Sequence, residues 1–129
     1  MKSFYVICPV GTDDYFIQKK NILENLGREH NLEPFFPLER NRDFTISEAS
    51  SDLRRTEFVL ADLSLQRPSC YFELGLAQAL SCRVVAIAAI GTPIHQFGGR
   101  PSEVMFYSDL QFYRSVVASV MANYQQIDN

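Results

Sequence analysis

Three runs of residues, 3–9 (SFYVICP), 58–63 (FVLADL) and 83–90 (RVVAIAAI), are apolar almost without a break, and they constrain the fold more than any other feature of the chain. A strand with one wet face alternates polar and apolar residues. A run that does not alternate is covered on both faces, as strands inside a parallel sheet are. Between the runs the period changes: Tyr15, Phe16, Ile22, Leu23 and Leu26 recur at helical spacing until Gly27, which reads as a stop signal. Residues 33–37 (EPFFP) carry prolines near both ends, so this second strand is short and peripheral.

Residues 38–44 read as a polar loop, after which Thr45, Ile46, Ser47 and Glu48 form a T-x-x-E capping box that starts a second helix. Ile46, Ala49 and Leu53 lie on one face of it. Residues 70–82 (CYFELGLAQALSC) are apolar almost all the way round, which predicts a third, largely buried helix. A fifth strand is expected at 104–107. Ser108 to Gln111 repeats the capping logic, and Leu110, Tyr113, Val117, Val120, Met121 and Tyr124 give the last helix its inner stripe.

This strict alternation implies an α/β, flavodoxin-like open parallel five-stranded sheet with helices on both faces, and 2-1-3-4-5 is the leading choice of strand order. In that order the chain changes direction between strands one and three, so a ligand crevice opens beyond their carboxyl ends. At 129 residues and 47% hydrophobic composition the chain fits a single domain spanning residues 1–129. A net charge of -3 leaves no broad basic surface, which excludes nucleic-acid polymers and anionic membranes as main partners. With Met1-Lys2 leading straight into a strand and no apolar run near the ~18 residues of a bilayer span, a soluble cytoplasmic protein is expected. Cys8, Cys70 and Cys82 are odd in number and scattered, so reduced thiols are expected; His30 and His95 belong to no metal-binding pattern, and no metal or cofactor is assigned.

Glu73 is the most informative residue, a carboxylate in the opening turn of a helix otherwise built for burial. Burial raises a carboxyl pKa and a helix amino terminus lowers it, so the group is tuned either way, whether it serves a site or complements the dipole. Gly75 costs about 1 kcal/mol in a helix, which suggests a close backbone approach there. Asp62 ends the third strand at the crevice, where it could hold a sugar hydroxyl or simply cap the next loop. Gly11 turns the first strand into the first helix, but no GxGxxG or Walker loop is present. Arg40 and Arg42 could reach a phosphate, yet Glu39 and Asp43 flank them and suit a self-compensating loop.

The segment 61–80 (ADLSLQRPSCYFELGLAQAL) resembles the D-L-[ST]...P-x-x-[YF]-[YF]-E-L-G-x-A-x-A-L signature of the nucleoside 2-deoxyribosyltransferase-like superfamily, which adjoins the TIR-like nucleotide-binding proteins. Residues 8–11 (CPVG) are similar to its P-[FVI]-G turn. The resemblance implies cleavage of the N-glycosidic bond of a nucleoside or nucleoside 5'-monophosphate, by hydrolysis or transfer, with Glu73 as catalytic glutamate and Asp62 as the acid beneath the substrate. It implies Gly11, Thr12, Ser64 and Ser69 as contacts for sugar hydroxyls or a phosphate, and a homodimer or larger homo-oligomer. Asp13 and Asp14 depart from the family's aromatic or arginine-bearing first loop and would repel a phosphate. Two other functions fit the same signature: a TIR-like NAD glycohydrolase, or a nucleotide-binding sensor without turnover in bacterial defence or signalling.

Overall fold

A computed structural model describes residues 1–37, 45–98 and 103–128. Its strands are β1 (Lys2–Ile7), β2 (Leu32–Phe35), β3 (Val59–Asp62), β4 (Val84–Ala89) and β5 (Met105–Tyr107). All neighbours pair in parallel, in the order β2-β1-β3-β4-β5. The helices are α1 (Phe16–Glu29), α2 (Ile46–Arg54), α3 (Pro68–Ala79) and α4 (Leu110–Asp128), with a short 3-10 turn at Ser64–Gln66. Residues 38–44, with Arg40 and Arg42, lie outside the described residues.

The uninterrupted runs become strands because each face meets its own helical layer. Phe4 and Val6 of β1 and Leu60 of β3 join Phe16, Leu23 and Leu26 of α1 and Val117 and Met121 of α4 in one core. Tyr5, Ile7, Val59 and Ala61 point the other way and pack with Leu53 of α2 and Cys70, Leu74 and Ala77 of α3. Alternation therefore sorts residues between two cores, not between core and water. β2 lies at the edge, where Pro34 withholds a ladder donor at little cost.

Several local expectations need correction. Gly27 does not stop α1, which runs through it to Glu29. A Cβ there would sit 2.4 Å from the Leu32 carbonyl oxygen, so this glycine serves the close passage of helix over strand. α3 begins at Pro68, with proline in the first turn where its missing N–H costs nothing, and Glu73 consequently lies in the second turn. α3 buries one face only: Phe72 is half exposed, and a Cβ on exposed Gly75 would meet nothing within 4 Å. No close approach explains that glycine. The Thr45 cap forms as expected, with its hydroxyl accepting from the Glu48 N–H at 3.1 Å. At α4 the cap is Asp109, not Ser108; its Oδ1 accepts from the Phe112 N–H at 2.9 Å.

Candidate functional site

Asp62 ends β3 and is 3% exposed. Its Oδ1 accepts from the Ser64 N–H at 3.0 Å, and its Oδ2 accepts from the Tyr107 hydroxyl at 2.8 Å and the Lys19 ammonium at 3.4 Å. Lys19 also donates to the Tyr107 oxygen at 2.8 Å and to Asp13 Oδ2 at 2.5 Å. Ser64 Oγ accepts from the Ala89 N–H at 2.8 Å and lies 2.9 Å from the Tyr107 oxygen. One proton arrangement satisfies every group: Ala89 N–H donates to Ser64, Ser64 to Tyr107, and Tyr107 to Asp62. Such a chain polarises along its length and fixes each member.

Burial pulls the Lys19 ammonium down, but the Asp62 charge, aided by hydrogen bonds to Asp13 and Tyr107, outweighs it and leaves Lys19 above the usual lysine range. The Tyr107 and Tyr113 rings lie 5.0 and 5.5 Å from its nitrogen and add a cation–π attraction. Both phenols are pushed up, chiefly by burial and then by Asp62.

Glu73 is arranged differently. It projects from α3 toward the sheet, is 6% exposed, and its Oε2 accepts one hydrogen bond, from the Tyr5 hydroxyl at 3.2 Å. Burial raises its pKa to about 7, and the Tyr5 bond lowers it only in part. Tyr5 is in turn pushed far up by burial and by the Glu73 charge. Cys8 and Cys70 feel both acids. Burial first, then Asp62 for Cys8 and Glu73 for Cys70, raises the two thiols, Cys70 to about 12, so they remain protonated and unreactive at neutral pH.

Asp62 and Glu73 thus belong to opposite layers and share no hydrogen-bond partner. The fields of both acids nevertheless reach the same two thiols, Cys8 and Cys70. A cavity of about 620 Å³ opens beyond the carboxyl ends of the strands, on the Asp62 side. Thr12, Asp13, Asp14, Lys19, Ser64 and Tyr107 are among its walls; Gly11, Ser69 and Glu73 are not. Leu65, also in the wall, and Gln66 hold φ of +67° and +52°, a conformation that costs non-glycine residues about 1–3 kcal/mol each and often accompanies a binding loop. His95 Nε2 donates to Gln66 Oε1 at 2.7 Å and ties the following segment to this turn. A more open hollow of about 730 Å³ beside β2, walled by Lys20, Glu24, Arg28 and Pro34, contains neither acid. Among the described residues, no group of three or more His, Cys, Asp or Glu is placed to hold a metal ion, and no helix is long and apolar enough to cross a membrane.

The spacing-based reading missed Lys19, Tyr5 and Tyr107. Lys19 carried a signal: it lies three residues after Phe16 and four before Leu23, so a charge occupies the apolar stripe of α1. The two tyrosines were hidden in apolar strands.

No protein-family model matches the chain, and no curated protein sequence matches it. Solved structures do. A 2-desoxiribosyltransferase from Leishmania mexicana superposes with a TM-score of 0.63 at 19% identity, over 92% of this chain and 98% of that one. A 2-deoxyribosyltransferase from Bacillus psychrosaccharolyticus gives 0.59 at 10% identity, over 92% and 95%. The chain has the nucleoside 2-deoxyribosyltransferase-like fold.

Proposed function

We propose that this protein cleaves the N-glycosidic bond of a nucleoside, with Glu73 as the carboxylate that meets the anomeric carbon. The observation that carries this reading is Glu73 itself: a buried acid poised near pH 7, held by a single hydroxyl, on the helix that follows β3 in a fold shared with deoxyribosyltransferases. Deprotonated, Glu73 attacks the anomeric carbon as the C–N bond breaks. The bonding pair leaves with the base, which takes a proton from solvent, and a glycosyl ester remains. Water then releases the free sugar and a proton and restores the carboxylate; a second base would instead form a new nucleoside.

In this reading Asp62 is a charge fixed behind the cavity wall, orienting Ser64 and Tyr107 toward the ligand. Thr12 and Ser64 are the retained sugar contacts, since Gly11 and Ser69 lie outside the walls. A volume of about 620 Å³ suits a nucleoside, and because Glu73 is not among the cavity walls the reading needs the anomeric carbon to reach past the tips of β1 and β3 toward Cys8 and Cys70, where the fields of both acids meet. Asp13, Asp14 and Asp109 line the cavity, and the one lining cation among the described residues, Lys19, donates inward to Asp13, Asp62 and Tyr107. The lining therefore favours an unphosphorylated substrate.

The test is to incubate the protein with deoxynucleosides, ribonucleosides, their 5'-monophosphates and NAD, with and without a second free base, and to assay released base or nicotinamide. Release from a nucleoside that disappears in Glu73→Gln supports the reading. Release that survives Glu73→Gln removes Glu73 from the mechanism, nicotinamide release alone moves the substrate to NAD, and binding without release makes the protein a sensor.

A further inference from the structure

Lys19 joins two loops that are built alike. Asp13 Oδ1 accepts from the Tyr15 N–H at 2.9 Å, and Asp62 Oδ1 accepts from the Ser64 N–H at 3.0 Å. Each carboxylate therefore closes an Asx turn onto the amide two residues ahead. In both cases the other oxygen, Oδ2, goes to Lys19, at 2.5 Å and 3.4 Å. The third acceptor of the ammonium is Tyr107 at the tip of β5. One buried cation thus fastens three separate segments, and all three contribute walls to the cavity.

An ammonium is costly to bury, and an apolar residue would suit this position on α1 better unless the charge served the neighbouring loops. We propose that Lys19 is a positioning residue: it locks the loop after β1 to the tips of β3 and β5 and so holds the cavity in its ligand-binding shape. It touches no reacting atom. Without it, Asp13 and Asp62 would face each other across the Tyr107 hydroxyl with nothing to hold them together. Each carboxylate would then hold its own turn against an unbalanced neighbouring charge, so the two loops would loosen together.

Amide hydrogen exchange tests the clamp without requiring turnover. In Lys19→Met the Tyr15 and Ser64 amides should exchange at least about tenfold faster than in the wild type, while amides at the centre of β1 stay protected. Lys19→Arg should fall between, because it restores the charge with a different shape. Should Lys19→Met not fold, Asp13→Asn serves: Asp13 is joined to the Ser64 loop through Lys19, so faster exchange at Ser64 in this variant supports the clamp. Loosening confined to Tyr15 overturns it.

The effect on ligand rests on the proposed nucleoside cleavage. In folded Lys19→Met, KM should rise at least about tenfold with kcat changed less than about threefold, and Lys19→Arg should restore part of the affinity. An inactive wild type would sink the cleavage reading and leave the exchange result to judge the clamp. An active wild type, with unmoved amides and unchanged KM in Lys19→Met, would overturn the clamp alone.

Discussion

The protein buries two carboxylates on opposite sides of one sheet and holds them in opposite ways. Asp62 is fully engaged: an amide, a phenol and an ammonium meet its two oxygens. Glu73 accepts a single bond at 3.2 Å and is pushed to about 7 by burial. Similar burial therefore leaves one carboxylate held at both oxygens and the other held at one and titratable near neutrality. In the proposed reading the division separates architecture from chemistry: Asp62 organises the walls of the cavity, and Glu73 is left able to change state.

Glu73→Gln is the sharpest test of that division. Cleavage should fall by about three orders of magnitude or more, as expected when a nucleophile is removed. Stability should move in the other direction. Folding raises the Glu73 pKa from 4.5 to about 7, so the native state binds its proton more tightly than the unfolded chain does. The resulting stabilisation is complete below about pH 4.5 and is lost as pH rises through 7. Glutamine carries no such loss. The variant should thus gain on the wild type across this window and level off about 3 kcal/mol ahead above it, at about 1.4 kcal/mol per tenfold change in proton affinity. Urea denaturation at pH 5 and pH 8 measures the difference, and equal gains at both pH values would break the contrast.

Asp62→Asn should cost stability instead, by about 2–4 kcal/mol. However the amide is turned, its NH2 group faces a donor: the Ser64 N–H on one side, or Lys19 and Tyr107 on the other. Denaturation at a single pH reads this loss. A smaller effect concerns the charge of the cavity. A nucleoside should bind about tenfold more tightly than its 5'-monophosphate by calorimetry at low salt, and both added salt and Asp14→Asn should narrow the gap.

The sheet was legible because unbroken apolar runs have few solutions; alternation of strand and helix made it parallel, and of the orders that alternation allows the structure has the one expected. Boundaries were less legible where a residue answers to its neighbours. Gly27 reads locally as a stop and is in fact the point where α1 passes over β2. Glu73 was visible as a charge in an apolar helix, and so in principle was Lys19. The partners of Glu73 and Asp62 were not visible. Tyr5 and Tyr107 look like any other apolar strand residues, and only the pleat decides that one hydroxyl goes to the α3 layer and the other to the α1 side.

Tyr5→Phe gives the smallest and most specific effect, because it removes one hydroxyl and keeps the ring in its core. Its bond is what holds Glu73 below the value that burial alone would impose. Without it the Glu73 pKa should rise further, so less carboxylate is present at pH 7 and the rising limb of the pH–rate profile should move to higher pH by about half a pH step or more. Activity lost at pH 7 should largely return at pH 9, where the carboxylate forms again. The Asp62 network, on the other face, should be untouched, with Ser64 and Tyr15 amide protection unchanged. A uniform loss of rate at every pH would instead make Tyr5 a packing residue and leave Glu73 without its tuning partner.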